Sequence, residues 1–185
     1  ISREKAAVSF AKDIQDSIRG MELSYAVFEV ALADAPLSAI GQDAVVFRFS
    51  ASGKNPVDVA KCASGGEMSR IMLALKAMMA RFTSMPTMIF DEIDTGVSGT
   101  MAEKMAKVMR QMSENCQVLC ITHLPQIAAL GNQHYKVCKI ETEDSTVTQI
   151  HALDIDARVQ EIANMLSGEE MTEAAISNAK ALLKV

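Results

Sequence analysis

The chain reads as an α/β fold in which a mostly parallel sheet is flanked by helices, and three patterns predict it. Residues 87–90 and 118–121 are short continuous apolar runs, each followed by polar residues, as in parallel strands buried on both faces. Between them Met101, Ala102, Met105, Val108, Met109 and Met112 mark a crossover helix, which makes a right-handed β-α-β unit. Ahead of both, Met68, Ile71, Met72, Leu75, Met78, Met79 and Phe82 form one apolar stripe of a long helix.

The remaining elements follow from the same kinds of pattern. Ala7, Phe10, Ala11, Ile14 and Ile18 recur at helical spacing and predict an amphipathic helix ending at Gly20. On these residues alone it is either a surface helix or the end of a longer coiled coil. Residues 25–32 and 45–49, rich in β-branched and aromatic side chains and separated by Asp34-Ala35-Pro36 and Gly41, predict paired strands. A polar stretch over residues 50–58 follows. Residues 135–140 and 147–153 predict a hairpin turning at Glu143-Asp144, and helices over 155–166 and 171–183 close the chain. No repeat or low-complexity tract interrupts this order, so the residues predict one α/β domain.

With 49% hydrophobic and 22% charged residues, the chain of 185 residues has the composition of a globular protein with a real core. No apolar run approaches the roughly 18 residues needed to span a bilayer, and the charged start Ser2-Arg3-Glu4-Lys5 is not that of a signal sequence. The chain begins without an initiating Met, from which an excised segment is expected. Cys62, Cys116, Cys120 and Cys138 make no C-x-x-C pair and fit a reducing cytoplasm. A formal charge of −5 argues against a generally basic nucleic-acid surface, although net charge does not locate a patch.

Three motifs carry chemistry. The run Ala63-Ser64-Gly65-Gly66-Glu67-Met68-Ser69-Arg70 opens the long helix. Its glycines permit close approach to a ligand, and the helix start offers free N–H groups and a positive dipole end to a phosphate. Ser64 and Glu67 also have capping-box spacing, and the two roles are compatible. Asp91 and Glu92 end an apolar strand, where ligands bind in open α/β sheets. They read either as a solvated acidic turn or as a pair in which Asp91 holds Mg²⁺, directly or through water, and Glu92 deprotonates an attacking water. His123 follows the second apolar strand and precedes Pro125, which suits the first position of a helix. It is either structural or a hydrogen-bond donor to a γ-phosphate.

The nucleotide-gripping loop Gly-x-x-x-x-Gly-Lys-Ser/Thr is missing from the 185 residues. Ser52-Gly53-Lys54-Asn55 does not replace it, because Arg48 stands where the first glycine is needed and Asn55 where Ser or Thr binds Mg²⁺. His134 and His151 lack metal-ligand spacing, and the methionines lie on helical stripes, which makes them core.

The order of these motifs resembles the C-terminal lobe of an ABC-type ATPase head. The wording of 63–70, of Phe90-Asp91-Glu92-Ile93-Asp94-Thr95-Gly96-Val97-Ser98-Gly99 and of Thr122-His123-Leu124-Pro125-Gln126-Ile127-Ala128 is similar to the RecN family, bacterial SMC-like proteins of DNA double-strand-break repair. The resemblance covers the chain from about Gly20 to near its C-terminus.

The resemblance implies a lobe over residues 20–185 and the returning end of a coiled coil over 1–19. A separate N-terminal lobe would carry the gripping loop. Two heads would sandwich ATP, with Ser64, Gly65, Gly66 and Glu67 on the nucleotide of the opposite head and Asp91, Glu92 and His123 on their own. ATP and Mg²⁺ are the implied cofactors. The implied partners are the N-terminal lobe, a second head and DNA, in the cytoplasm at the nucleoid and without a membrane.

ATP binding would close the heads and hydrolysis reopen them, and the segment by itself would be inactive. Many ABC proteins carry an Asp seven residues after the Mg²⁺ Asp, where this chain has Ser98; Asp94, Gly96 and Ser98 are the implied dimer-contact loop. An ABC transporter subunit and a non-enzymatic interaction module are the alternatives. The leading helix and the Asp91-Glu92-Ile93-Asp94 wording favour the SMC-like branch over the transporter.

Overall fold

The protein was analysed as a computed structural model that describes residues 2–61, 64–83, 85–97, 99–141, 145–168 and 171–185. It divides into two compact units, residues 1–120 and 121–185. A single domain was expected after residue 19. The division arises because the chain beyond Cys120 builds a separate core from Ala129, Val159, Ile162, Ala163, Ala175 and Ala179. Among the described residues no helix is long and apolar enough to cross a membrane.

The first unit opens with helix α1 (Ser2–Gly20), whose Ile14 and Ile18 are fully buried. α1 lies against a three-stranded antiparallel sheet in the order β1 (Val27–Ser38), β2 (Gly41–Ser50), β3 (Val57–Asp58). Phe10 of α1 stacks on Phe47 at 5.8 Å between ring centroids, and Phe28 joins both rings. The hairpin is longer than the sequence predicts. Strand β1 runs on through Asp34-Ala35-Pro36 because it is an edge strand, where a proline leaves no ladder bond unmade, and the register shift between Asp34 and Ser38 absorbs the irregularity. The polar stretch after Ser50 ends in β3 and the 3₁₀ turn Val59–Lys61.

Helix α2 (Gly65–Phe82) starts where its cap predicts, and its buried face is only in part the expected stripe. Arg70, Ile71, Leu73, Ala74, Met78 and Ala80 are buried, whereas Met72 (41%), Met79 (46%) and Phe82 (75%) are exposed. α2 packs against α1 and against α3 (Thr100–Met112). Met78, Met88, Met105, Met109 and Met112 are core, as expected of those positions.

Strands β4 (Thr87–Asp91) and β5 (Gln117–Ile121) form a two-stranded sheet. Their first residues adjoin: Gln117 N donates to Pro86 O at 2.9 Å and Thr87 Oγ1 donates to Gln117 Oε1 at 3.1 Å. The strands are therefore parallel, joined by α3 in the expected crossover, and the α/β class holds. The two-sided burial does not. Met88 and Phe90 are buried on one face, while Ile89 (58%) and Leu119 (44%) of the other face are exposed, because the described residues provide no second layer over them.

The second unit contains α4 (Pro125–Leu130), the antiparallel hairpin β6 (Tyr135–Glu141) and β7 (Thr146–Ala152), and helices α5 (Ile155–Ser167) and α6 (Glu173–Leu183). The hairpin turn expected at Glu143-Asp144 lies outside the described residues. Asp154 caps α5 by accepting from Ala157 N at 2.8 Å, and Thr172 caps α6 by accepting from Ala175 N at 3.1 Å.

Candidate functional site

The first motif is a capped helix start. Ser64 has an extended backbone (φ −100°, ψ 134°), and its Oγ accepts from Glu67 N at 3.2 Å. Gly65 faces open space: a Cβ built on it meets nothing within 4 Å. Ser64 and Gly65 are exposed, and Glu67 is half-buried. The helix start thus presents its N-terminal N–H groups outward, the arrangement that accepts an anion. Cys62 and Ala63 lie outside the described residues.

The second motif is a tight turn at the end of β4. Asp91 and Glu92 are both exposed, and Glu92 has a left-handed backbone with φ +50°. Thr95 folds back on it, with N at 3.3 Å and Oγ1 at 2.9 Å from Glu92 O. Val97 N donates to Asp94 O at 3.0 Å. Ile93 and Val97 point into the core, and so does Asp94, which is only 1% exposed. Asp94, which the resemblance implies in the dimer-contact loop, has its carboxylate inside its own unit. Gly96 remains at the surface, and Ser98 lies outside the described residues.

The two motifs touch. A Cβ on Gly66 would stand 3.0 Å from Gly96 O, and one on Gly96 would stand 3.5 Å from Gly66 N. The helix start and the acidic turn are therefore neighbours on one surface of the first unit, and glycine is needed at Gly66 for the approach. Gly96, at φ +72°, needs glycine for its backbone as well.

Sequence reasoning missed what holds this surface from beneath. Arg70 is 7% exposed; its Nε donates to Gly66 O at 2.9 Å and its Nη1 to Met21 O at 3.4 Å, beside Met101 Sδ at 3.2 Å. Burial lowers its guanidinium pKa, and the charges of Glu67 and Glu22 oppose that shift. Glu22 in turn meets the start of α3: Thr100 Oγ1 donates to it at 2.6 Å and Lys104 Nζ lies 3.4 Å away. The Thr100 hydrogen bond, followed by Lys104, holds the Glu22 carboxyl below its usual range. The available signal was the position of Arg70 one helical turn after Gly66. Beneath the acidic turn, burial and the Asp94 charge push the Cys120 thiol up to about 11, so it behaves as a small hydrophobe.

His123 belongs to the second unit and is exposed two residues beyond β5. Thr122 Oγ1 accepts from Leu124 N at 3.0 Å, and Pro125 takes the first position of α4 as expected. Farther along, Arg158 ties off the end of α4, donating to Gly131 O at 2.7 Å and Ala129 O at 3.3 Å. Burial, reinforced by Arg158, lowers the pKa of His134. Among the described residues no group of three or more His, Cys, Asp or Glu could hold a metal ion.

The fold has solved counterparts. The Smc head domain with coiled coil and joint from Pyrococcus yayanosii superposes with a TM-score of 0.70 at 17% identity, over 90% of this chain and 30% of that one. A chain from a structural study of ATP-driven dimerization and DNA-stimulated activation of SMC ATPases matches at 0.62 and 12% identity, over 90% of this chain and 96% of its own. The fold is that of an SMC ATPase head. No family model matches the chain. Along 98% of its length, however, it is 41% identical to the DNA repair protein RecN of Haemophilus influenzae and 40% identical to those of Halalkalibacterium halodurans and Vibrio cholerae. The chain belongs to the RecN family, and it spans about a third (33%) of the length of these relatives.

Proposed function

We propose that the chain is the C-terminal lobe of an SMC-like ATPase head acting in bacterial DNA double-strand-break repair. In this reading ATP draws two heads together and hydrolysis to ADP and phosphate releases them. The observation that supports it is the contact of Gly66 with Gly96, which joins an outward-facing helix start to the turn bearing Asp91 and Glu92. Family membership supplies the DNA-repair context.

The residues present fit ATP and Mg²⁺. Asp91 is an exposed carboxylate at a strand end, a hard oxygen donor of the kind Mg²⁺ takes. Bound there, Mg²⁺ would neutralise phosphate charge. Ser64, Gly65, Gly66 and Glu67, at the start of α2, would meet the nucleotide of the opposite head. Glu92 would take the proton of the attacking water, and His123 would donate a hydrogen bond to the γ-phosphate. Gly96 would contribute to the dimer contact through its backbone.

A lobe that supplies only these parts needs a second to grip the nucleotide. The exposed apolar residues Ile89 and Leu119 on β4–β5, and Met72, Met79 and Phe82 on α2, support an N-terminal lobe as their cover. Helix α1 would continue into a coiled coil. The lobe by itself would hydrolyse ATP negligibly, because positioning and charge stabilisation supply most of phosphoryl-transfer catalysis. Cytoplasmic location and DNA binding belong to the full-length protein in this reading.

The test is Glu92→Gln in the full-length protein. Nucleotide binding is expected to persist, turnover to fall by about 10²-fold or more, and the ATP-bound dimer to accumulate. Unchanged turnover would remove Glu92 from the role of base.

A further inference from the structure

Glu92 occupies a conformation that glutamate adopts rarely. At φ +50° its backbone is left-handed, which places Cβ close to the following carbonyl and costs roughly 1–2 kcal/mol. Glycine or asparagine would turn the strand end with less strain. A strained residue persists where its surroundings over-determine it. Here the determinant is specific: both the amide and the hydroxyl of Thr95 donate to Glu92 O, and the hydroxyl makes the shorter bond, 2.9 Å against 3.3 Å. The turn is fixed to the core on its other side by Ile93, Asp94 and Val97. Among the described residues here, Asp91, Glu92, Thr95 and Gly96 lie at the surface.

We propose that Thr95 is a positioning residue: its hydroxyl locks the left-handed backbone of Glu92 and so sets the direction in which the Glu92 carboxylate projects. The inference rests on Glu92 being the general base. Thr95 makes its bond to a backbone carbonyl and does not itself touch the reacting groups. A general base must come within about 2.6–3.2 Å of the proton it takes, and a misplacement of about 1 Å costs on the order of 10²-fold in rate. Without the hydroxyl, Thr95 holds Glu92 O by the longer amide bond alone, which opposes less strongly the return of Glu92 to a right-handed backbone that would swing its side chain away.

The experiment compares Thr95→Val, Thr95→Ser and Glu92→Gln with wild type in the full-length protein, measuring kcat, KM for ATP and ATP-dependent dimerisation. Thr95→Val is expected to lower kcat by about 10- to 100-fold with KM and dimerisation unchanged. Thr95→Ser, which keeps the hydroxyl, is expected to restore kcat to within a few-fold of wild type. Thr95 is exposed, so both variants are expected to fold, and Thr95→Ala repeats the deletion if valine is rejected. Wild-type kcat in Thr95→Val, failure of serine to rescue, a parallel loss of dimerisation, or misfolding of both the valine and alanine variants would each overturn the proposal. If Glu92→Gln is inactive while Thr95→Val is normal, only the positioning role falls. If Glu92→Gln turns over normally, the base assignment falls first.

Discussion

Replacing Ser64 separates its observed helix cap from its proposed phosphate contact, because aspartate preserves the first and would abolish the second. In the structure Ser64 Oγ accepts from Glu67 N at 3.2 Å, so Ser64→Ala removes a cap worth about 1 kcal/mol. For a chain of 185 residues that lowers the melting midpoint by roughly 2–4 °C. Ser64→Asp keeps an N-cap acceptor of equal quality, and its charge complements the helix dipole by about 0.3–1 kcal/mol, so this variant melts at or above wild type. Toward a nucleotide the order inverts. A carboxylate about 4 Å from one phosphate charge, at an effective dielectric near 20, is repelled by about 4 kcal/mol, or roughly 10³-fold in affinity. Loss of the neutral hydroxyl in Ser64→Ala costs about 1.5–3 kcal/mol, roughly 10- to 100-fold. Thermal unfolding of the chain and light scattering of the full-length protein with ATP read the two effects. Alanine is expected to be the less stable variant and aspartate the weaker in dimerisation. Normal ATP-dependent dimerisation of Ser64→Asp would reduce Ser64 to a cap, and an unshifted midpoint in Ser64→Ala would refute the stability argument.

Burial first, then Arg158, with Lys136 adding to it and Glu161 opposing, lowers His134 below 6.5. The folded state therefore favours neutral His134, and this contribution to stability is complete above about pH 6.5 and lost as pH falls through the folded pKa. The midpoint of His134→Gln is expected to fall less than that of wild type between pH 8 and pH 5, and equal slopes would refute it. Gly53, at φ +80° with Tyr25 O 2.8 Å from a built Cβ, is expected to lose more than about 1 kcal/mol as Gly53→Ala in denaturant titration. Gly20→Ala, with nothing within 4 Å, serves as the tolerated control.

Local signals carried most of the fold into the sequence. The Ser64 cap, the β4–α3–β5 crossover and Pro125 at the first position of α4 depend on neighbouring residues, and each stands where its pattern placed it. The face of α2 was less legible because the helix is apolar on more than one side. Leu73, Ala74 and Ala80 join Ile71 and Met78 in the core, while Met72, Met79 and Phe82 of the predicted stripe are exposed. Periodicity reports which residues favour burial, but not which layer covers them. The same reasoning explains β4: an unbroken apolar run correctly predicted a parallel strand and incorrectly predicted that both its faces would be covered within the described residues. In β1, Pro36 looked like an end because edge position, which makes it acceptable, is a tertiary property.

Several departures from local rules in the first unit lie close together, while others, such as the left-handed Glu22 and Asn55, lie elsewhere in it. Between residues 64 and 97 the chain contains a left-handed glutamate, a buried arginine, a buried aspartate and two glycines in backbone contact. A sequence selected only for packing would replace Arg70 with an apolar residue and Glu92 with glycine, since unmatched burial of charge and left-handed backbone both cost stability. Two of these departures are compensated by specific bonds: Arg70 to Gly66 O and Met21 O, and Thr95 to Glu92 O. In the second unit, by contrast, the partly buried Arg158 is accounted for by the carbonyls it closes at the end of α4. Costly departures from local rules, two of them compensated by specific bonds, are what a functional site is expected to demand of its scaffold. Under the proposed function, the glycine-rich helix start and the Asp91-Glu92 turn would act as one surface, a reading that the approach of Gly66 to Gly96 supports.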